Sequence, residues 1–406
     1  MQQKSGTKAR LEILSGYKLK CKDLNLDPNS ALIRTLEEPG PEEFCIDIIF
    51  RGNYKLNFSN RLQDQDLIIL TSLLENYTEL IRNIDFSYNK LTESSIRPFA
   101  KLLSKLPNLE SLNLQGNNLD VEGAKLLAEA IKENKTLQYL NLNENNIQTD
   151  GVLQIILILF ANKNLKELNL ADNKIDHDGM SGIASVLNWH NSTLEVLNLD
   201  KASYKSIGQE IAIHFAKMLQ NNKGLQKLSL RKHELNCDAL YIMTEHMLEN
   251  NRLRVLDLSA NRIAFQGCEA LGKFLISDYC NLESLILANN RTGVYGAKAL
   301  ALALSKNKTL IHLDMTTNNI NDDGLRMLGD SLYLNNTLAS LKLYWNDFDQ
   351  SSLKVFHDLL TNVAKETDRQ FFFDFETYIV DDHIEMCLVE KKIPYDVEVS
   401  SPYYIE

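Results

Sequence analysis

Eight histidines stand at positions 177, 190, 214, 233, 246, 312, 357 and 383, and six cysteines at 21, 45, 237, 268, 280 and 387. A catalytic or structural metal needs such groups at short fixed spacings, such as two imidazoles one helical turn apart around a glutamate, or thiols paired as CxxC. Neither spacing occurs in the chain. No serine lies in a GxSxG turn, and no GxxxxGK[ST] or GxGxxG loop is present to cradle phosphate. Asp381-Asp382-His383 is the densest ligand-type run, and a solvated acidic turn is its simplest reading. Cys268 and Cys280 bracket one helix-like segment and read as small buried apolar residues. The expectation is a chain without an active site, metal or cofactor.

The glycines lead to the elements behind this pattern. Gly123, Gly151, Gly179, Gly267, Gly296 and Gly324 recur at a nearly constant interval, as structural punctuation near helix starts. The same interval governs L-x-x-L-x-L-x-x-N-x-L, which begins at Ile81, Leu109, Leu137, Leu165, Leu194, Leu225, Leu253, Leu282, Leu310 and Leu338. Steps of 28 to 31 residues leave no room for an inserted domain. In the second repeat Leu112 and Leu114 alternate inward on a short strand, and Asn113 between them faces the other way. Asn117 then sits at the turn, where an amide both donates and accepts, and asparagine fills eight of the ten equivalent positions. A helix is predicted from Val121 to Asn134, with Ala124, Leu127, Ala128 and Ile131 on one face. No single unit buries such a face alone; stacked neighbours do. An α/β leucine-rich repeat solenoid follows, a horseshoe with a concave parallel β-sheet, convex α-helices and about ten 28-residue repeats plus caps. The period with a true helix in each repeat resembles the ribonuclease-inhibitor-like subfamily.

Four segments are expected: 1–22 as a basic, disordered N-terminal arm, 23–80 as an N-terminal cap, 81–360 as the solenoid, and 361–406 as an acidic, aromatic C-terminal cap or tail. The first carries six Lys/Arg against one Glu, the last four basic against eleven acidic residues. Asp27-Pro28 reads as a helix start ahead of Ala31–Leu36, and 43–50 as a strand. A degenerate repeat is expected at Leu56 and Phe58, 28 residues before Ile84 and Phe86. The runs 371–375 and 378–380 read as strands or capping segments. In the fifth and sixth repeats Ala202 and His233 replace the turn asparagine, which predicts a local change of curvature.

A net charge of −11 over 406 residues argues against a general nucleic-acid binder. The longest apolar run, 152–161, is broken by Gln154 and is far short of the roughly 20 residues that span a bilayer. With no apolar signal segment behind Met1 and no cysteine framework, a reduced intracellular compartment is expected. Asn57, Asn76, Asn134, Asn191, Asn307 and Asn335 head glycosylation-type triplets and are read as polar residues at element ends.

Binding is therefore expected on surfaces. The concave candidates are Glu144, Glu167 and Asp172 beside Asp85, Asn113, Asn141, Asn169 and Asn198, then a basic step at Lys227, Arg231, Lys232 and His233, then Lys342, Tyr344 and Trp345. Aromatics and arginine dominate interface hot spots, although Tyr344 and Trp345 also suit packing under the C-terminal segment. The convex candidates come from an anomaly. Lys125, Glu129, Lys132 and Glu133 shift by one repeat to Leu153, Leu157, Phe160 and Ala161, and by another to Ser181, Ser185, Asn188 and Trp189. Leu153, Leu157, Phe160 and Trp189 are expected to form one apolar docking patch, or a seat for the chain's own terminus.

The segments 69–80 and 84–89, the irregular pair around 198–201 and 228–235, and the closing 343–349 and 376–382 resemble the leucine-rich repeat-containing protein 34 family. The resemblance runs from about residue 25 to 390. It implies a non-catalytic scaffold of the motile-cilium axoneme, a radial spoke subunit that binds other proteins, with a nucleolar association as the other connection. No functional residues come with it. Nucleic acid, membrane insertion and small-molecule substrates are not expected. Two further readings are a Ran-type GTPase-activating protein, whose dense acidic run is here interspersed with Phe371, Phe372, Phe373 and Tyr378, and a ribonuclease-inhibitor-like module, for which six cysteines are few.

Overall fold

A computed structural model describes residues 6–38, 45–132, 134–201, 209–367 and 369–389. They fall into two compact units, Met1–Val186 with Thr193–Glu195, and Leu187–Ser192 with Val196–Glu406.

The first unit opens with α1 (Gly6–Asp23), α2 (Ser30–Glu37), β1 (Ile46–Ile49) and α3 (Asp64–Leu74). Strand–helix coils follow: β2 (Ile81–Asp85) and α4 (Glu93–Leu103), β3 (Ser111–Asn113) and α5 (Val121–Ile131), β4 (Tyr139–Asn141) and α6 (Gln148–Ala161), β5 (Glu167–Asn169) and α7 (His177–Trp189), whose last turn belongs to the second unit. β1 to β5 pair in parallel, in chain order. Leu112, Leu140 and Leu168 stand opposite one another and are buried, so one inward leucine per coil builds the spine of the core. Helix α5 starts on a side-chain cap: Asp120 accepts from the Gly123 amide at 3.0 Å. At Gly151 a Cβ would lie 2.4 Å from Ile147 Cγ2 and 3.0 Å from Ala124 Cβ, so only glycine lets α6 approach α5 this closely.

Three expectations for this unit are corrected. Residues 6–22, read as part of a disordered basic arm, lie in α1, an 18-residue helix with Ala9, Ile13, Leu14 and Tyr17 buried. Its charges are absorbed locally: Arg10 donates to the Thr35 carbonyl at 2.5 Å, Lys18 pairs with Glu37 at 3.2 Å, and Lys20 meets Ser72 Oγ at 2.6 Å. The first α2 cap is Asn29, whose side chain accepts from Ala31 and Leu32, rather than the Asp27-Pro28 pair. The strand preceding the array is β1, within the expected 43–50, while Leu56 and Phe58 are turn residues exposed at 69% and 64%. The 28-residue step to Ile84 and Phe86 was coincidental; β1 reaches β2 through a longer cap connection.

The second unit continues the same alternation: β6 (Val196–Asn198), α8 (Gln209–Asn221), β7 (Lys227–Ser229), α9 (Cys237–Met247), β8 (Val255–Asp257), α10 (Phe265–Leu275), β9 (Ser284–Ile286), α11 (Gly293–Leu304), β10 (His312–Asp314), α12 (Asp322–Ser331), β11 (Ser340–Lys342) and α13 (Gln350–Asp358). β12 (Phe372–Phe373) adds to β11 in parallel, and β13 (Phe375–Val380) with β14 (His383–Leu388) forms an antiparallel hairpin. Asp381 and Asp382 are its turn, in keeping with the solvated reading. Phe356, Phe373 and Phe375 stack edge-on and face-on at 5.3–5.4 Å and close the end of the core. Cys268 and Cys280 are free and buried. Residue Ala202 lies outside the described residues.

Candidate functional site

The open face of six strands ends in one local device. The side-chain oxygen of the residue between the two inward leucines accepts from the amide two residues on: Asn113 from Gln115 (3.0 Å), Asn141 from Asn143 (3.1 Å) and Asn169 from Ala171 (3.1 Å) in the first unit, and Asn198 from Asp200 (2.9 Å), Asp257 from Ser259 (2.9 Å) and Asp314 from Thr316 (2.9 Å) in the second. These side chains, of which Asn113, Asn141, Asn169 and Asn198 are concave candidates of the sequence, turn the chain out of the strand.

The next residues pass through a left-handed turn. The residue ahead of each turn asparagine has positive φ, from +49° at Asp172 to +64° at Gly116, the one glycine among them. There a Cβ would also sit 2.6 Å from the Tyr88 ring. Glu144, Asp172, Lys232 and Trp345, four of the predicted concave candidates, occupy this position. The turn asparagine behind it is buried and reaches back one coil. Asn145 Nδ2 donates to the Leu114, Leu142 and Asn143 carbonyls, and its Oδ1 accepts from the Leu119 amide.

A second asparagine ladder escaped the sequence reading. Asn162 donates to the carbonyls of Ile131 and Asn134 and accepts from the Asn164 and Leu165 amides. Asn222, Asn250, Asn307 and Asn335 repeat the arrangement in the second unit. The glycosylation-type residues Asn307 and Asn335 are thus buried joints between helix end and next strand. The signal was available, since each stands three residues before a repeat's first leucine.

Within the basic step of the second unit, Arg231 has a buried acid beside it. Arg231 Nε lies 3.8 Å from Asp257, which is buried beside Asp200. Asp200 accepts from the Ser229 hydroxyl and the Arg231 amide. Burial, with the Asp200 carboxylate adding to it against bonds from Ser259, pushes Asp257 up to about 6, and burial also raises Asp200. His233 takes the ladder position, with its imidazole on the Leu199 carbonyl, and burial lowers it to about 4. It therefore acts as a neutral structural group.

The predicted concave candidates separate into groups. In the first unit Glu144 and Asp172 stand on successive turns, with Glu167 on β5. In the second, Lys227, Arg231 and Lys232 surround β7, while Tyr344 and Trp345 follow β11, four strand spacings or about 19 Å away. Trp345 is 73% exposed with Tyr344 edge-on at 5.3 Å, so it is not packed under the C-terminal segment. On the convex side Leu153, Leu157 and Phe160 are all exposed on α6, where the α5 counterparts are Lys125, Glu129 and Lys132. Trp189 is exposed as well and belongs to the second unit. Among the described residues no group of three or more His, Cys, Asp or Glu is placed to hold a metal, and no helix is long and apolar enough to cross a membrane.

Comparison with known proteins agrees with this geometry. The family model "Leucine Rich repeat" matches residues 105–128, 133–155, 161–184 and 306–329. Leucine-rich repeat-containing protein 34 is 31% identical over 206 residues in Mus musculus, covering 49% of this chain and 47% of that protein. The Homo sapiens protein of the same name is 30% identical over 202 residues, covering 48% and 41%. "NACHT, LRR and PYD domains-containing protein 14" of Mus musculus is 30% identical over 143 residues, 35% of this chain and 14% of that one. The match thus spans a little under half the length of the first two relatives. With its matched repeats and its stacked strand–helix coils, the chain is a leucine-rich repeat solenoid protein, similar over about half its length to leucine-rich repeat-containing protein 34.

Proposed function

We propose that this protein is a non-catalytic scaffold of the motile-cilium axoneme, a radial spoke subunit that binds neighbouring proteins through its solenoid surfaces. The observation that carries the binding part is the α6 face. Leu153, Leu157 and Phe160 hold apolar groups in water at 39%, 53% and 54% exposure, where a surface helix normally presents charge. Covering these three half-exposed side chains contributes roughly 2–4 kcal/mol, enough to anchor a contact with a rigid partner. Rigidity matters too: two asparagine ladders fix the backbone beforehand, so little ordering is lost on association. The ciliary part comes from the family resemblance, and axonemal subunits are the partners proposed.

The double substitution Leu157→Glu with Phe160→Glu tests the reading. Both side chains are exposed, so the variant folds, and the expectation is that it no longer stays with demembranated axonemes while the wild-type chain does. Wild-type chain recovered wholly in the soluble or nucleolar fraction would sink the ciliary assignment, and normal axonemal retention of the variant would sink the role of α6.

A further inference from the structure

A different surface lies on the second unit. α10 and α11 flank a cleft of about 400 Å³, lined by Phe265 of α10 and Ile276 just past its end, and by Tyr295 and Leu302 of α11. All four are large apolar or aromatic side chains left exposed, and the two rings lie 6.0 Å apart at one end. The floor is made of small residues. A Cβ on Gly272 would come within 3.4 Å of the Ala299 carbonyl oxygen and 3.5 Å of Ala303 Cβ, so the absence of side chains there gives the cleft its depth.

Charge supplies the second observation. Lys273, Lys298 and Lys306 border the cleft against a single acid, Glu269, in a chain with a net charge of −11. Several cations on other helix surfaces are matched: Lys105 with Glu75 at 3.1 Å, Arg97 with Glu122 at 3.2 Å, Arg326 with Asp330 at 2.9 Å. Among the described residues none of the three cleft lysines has an ion-pair partner. From Phe265 to Ile276 the cleft runs about 16 Å, the length of roughly three helical turns.

We propose that the α10–α11 cleft docks an acidic amphipathic helix of a partner protein. Its apolar i, i+3, i+4, i+7 stripe lies on Phe265, Tyr295 and Leu302, and its flanking carboxylates meet Lys273, Lys298 and Lys306. The inference rests on the protein-binding reading but not on the ciliary one, and its test leaves axonemal retention untouched.

The full chain is titrated, by fluorescence anisotropy, with a labelled helical peptide of about 14 residues bearing a leucine stripe flanked by glutamates, and with a twin whose glutamates are lysines. The glutamate peptide is expected to bind, more weakly as salt rises. The triple variant Lys273→Glu, Lys298→Glu, Lys306→Glu should bind it about tenfold more weakly and prefer the lysine twin, as charge reversal at a complementary rim requires. Leu302→Glu, which leaves the rim lysines in place, should also weaken binding. No binding of the glutamate peptide, or equal binding by wild type and either variant, overturns the proposal. So does recruitment to phosphatidylserine-containing vesicles without peptide binding, which would give the cleft to an anionic membrane instead.

Discussion

The Nε2 of His233 lies 2.6 Å from the carbonyl oxygen of Leu199, in the slot that an asparagine amide fills in most sister coils. An imidazole offers one donor there, against the two of an amide, and its Nδ1 is buried with no hydrogen-bond partner. That arrangement holds only while the ring is neutral, because a second buried N–H would have nothing to meet.

The first prediction follows from that neutrality. Burial lowers the His233 pKa to about 4, below the unfolded value of about 6.5, so the unfolded chain takes up the proton first. Stability is therefore lost as pH falls from about 6.5 to about 4, by on the order of 3 kcal/mol. His233→Asn restores the sister-coil amide and should remove this part of the acid slope in urea unfolding. An unchanged slope would show that the protonated ring is accommodated.

Asp257 has the opposite sign. Burial, reinforced by Asp200, raises its carboxyl to about 6, so its contribution is present below about 4 and lost as pH rises through 6. Asp257→Asn places there the residue found at Asn141 and Asn169, which make the same bond to the amide two residues on. The variant should be more stable at pH 7.5 by on the order of 1–3 kcal/mol and nearly unchanged below pH 4. A less stable variant at pH 7.5 would mean that attraction to Arg231, at 3.8 Å, outweighs burial.

The two ladders make paired mutations informative. Asn145→Ala strands three carbonyls and one amide inside the first unit, and Asn222→Ala strands two carbonyls and two amides inside the second. Each should cost about 2–4 kcal/mol in chemical denaturation. Losses below about 0.5 kcal/mol would show that water replaces the amides.

Trp345 carries a bulky ring at φ +59°, where glycine sits without strain in the coil of Gly116. Trp345→Gly should raise the melting temperature, by the equivalent of up to about 1 kcal/mol, while weakening whatever binds at that rim. A destabilised variant would mean that the edge-on contact with Tyr344 matters more than backbone strain.

Where spacing is rigid, the fold could be read directly. Leu112, Leu140 and Leu168 face inward because a period-2 strand inside a constant repeat leaves no alternative, and the exposure of Leu157 and Phe160 followed from superposing one helix on the next. Reading failed where tertiary partners decide. Nothing local to residues 6–23 announces that Arg10 will find the Thr35 carbonyl, and the charge count misled. The acid pair Asp200 and Asp257 became visible only when β6, β7 and β8 were laid side by side. Sequons hid the second ladder, since a familiar triplet masked the simple interval that Asn134, Asn162, Asn191 and Asn222 share.

Asn145 has one consequence for how the molecule comes into being. Its amide binds the Leu114 carbonyl, 31 residues earlier, and its oxygen takes the Leu119 amide, 26 residues earlier. Asn117 does likewise to Phe86 and Leu91. These bonds point toward the amino end, so a polypeptide leaving the ribosome meets, at each new winding, groups that have already been synthesised. Growth and assembly then share one direction, and a winding that meets such an asparagine is locked by its successor.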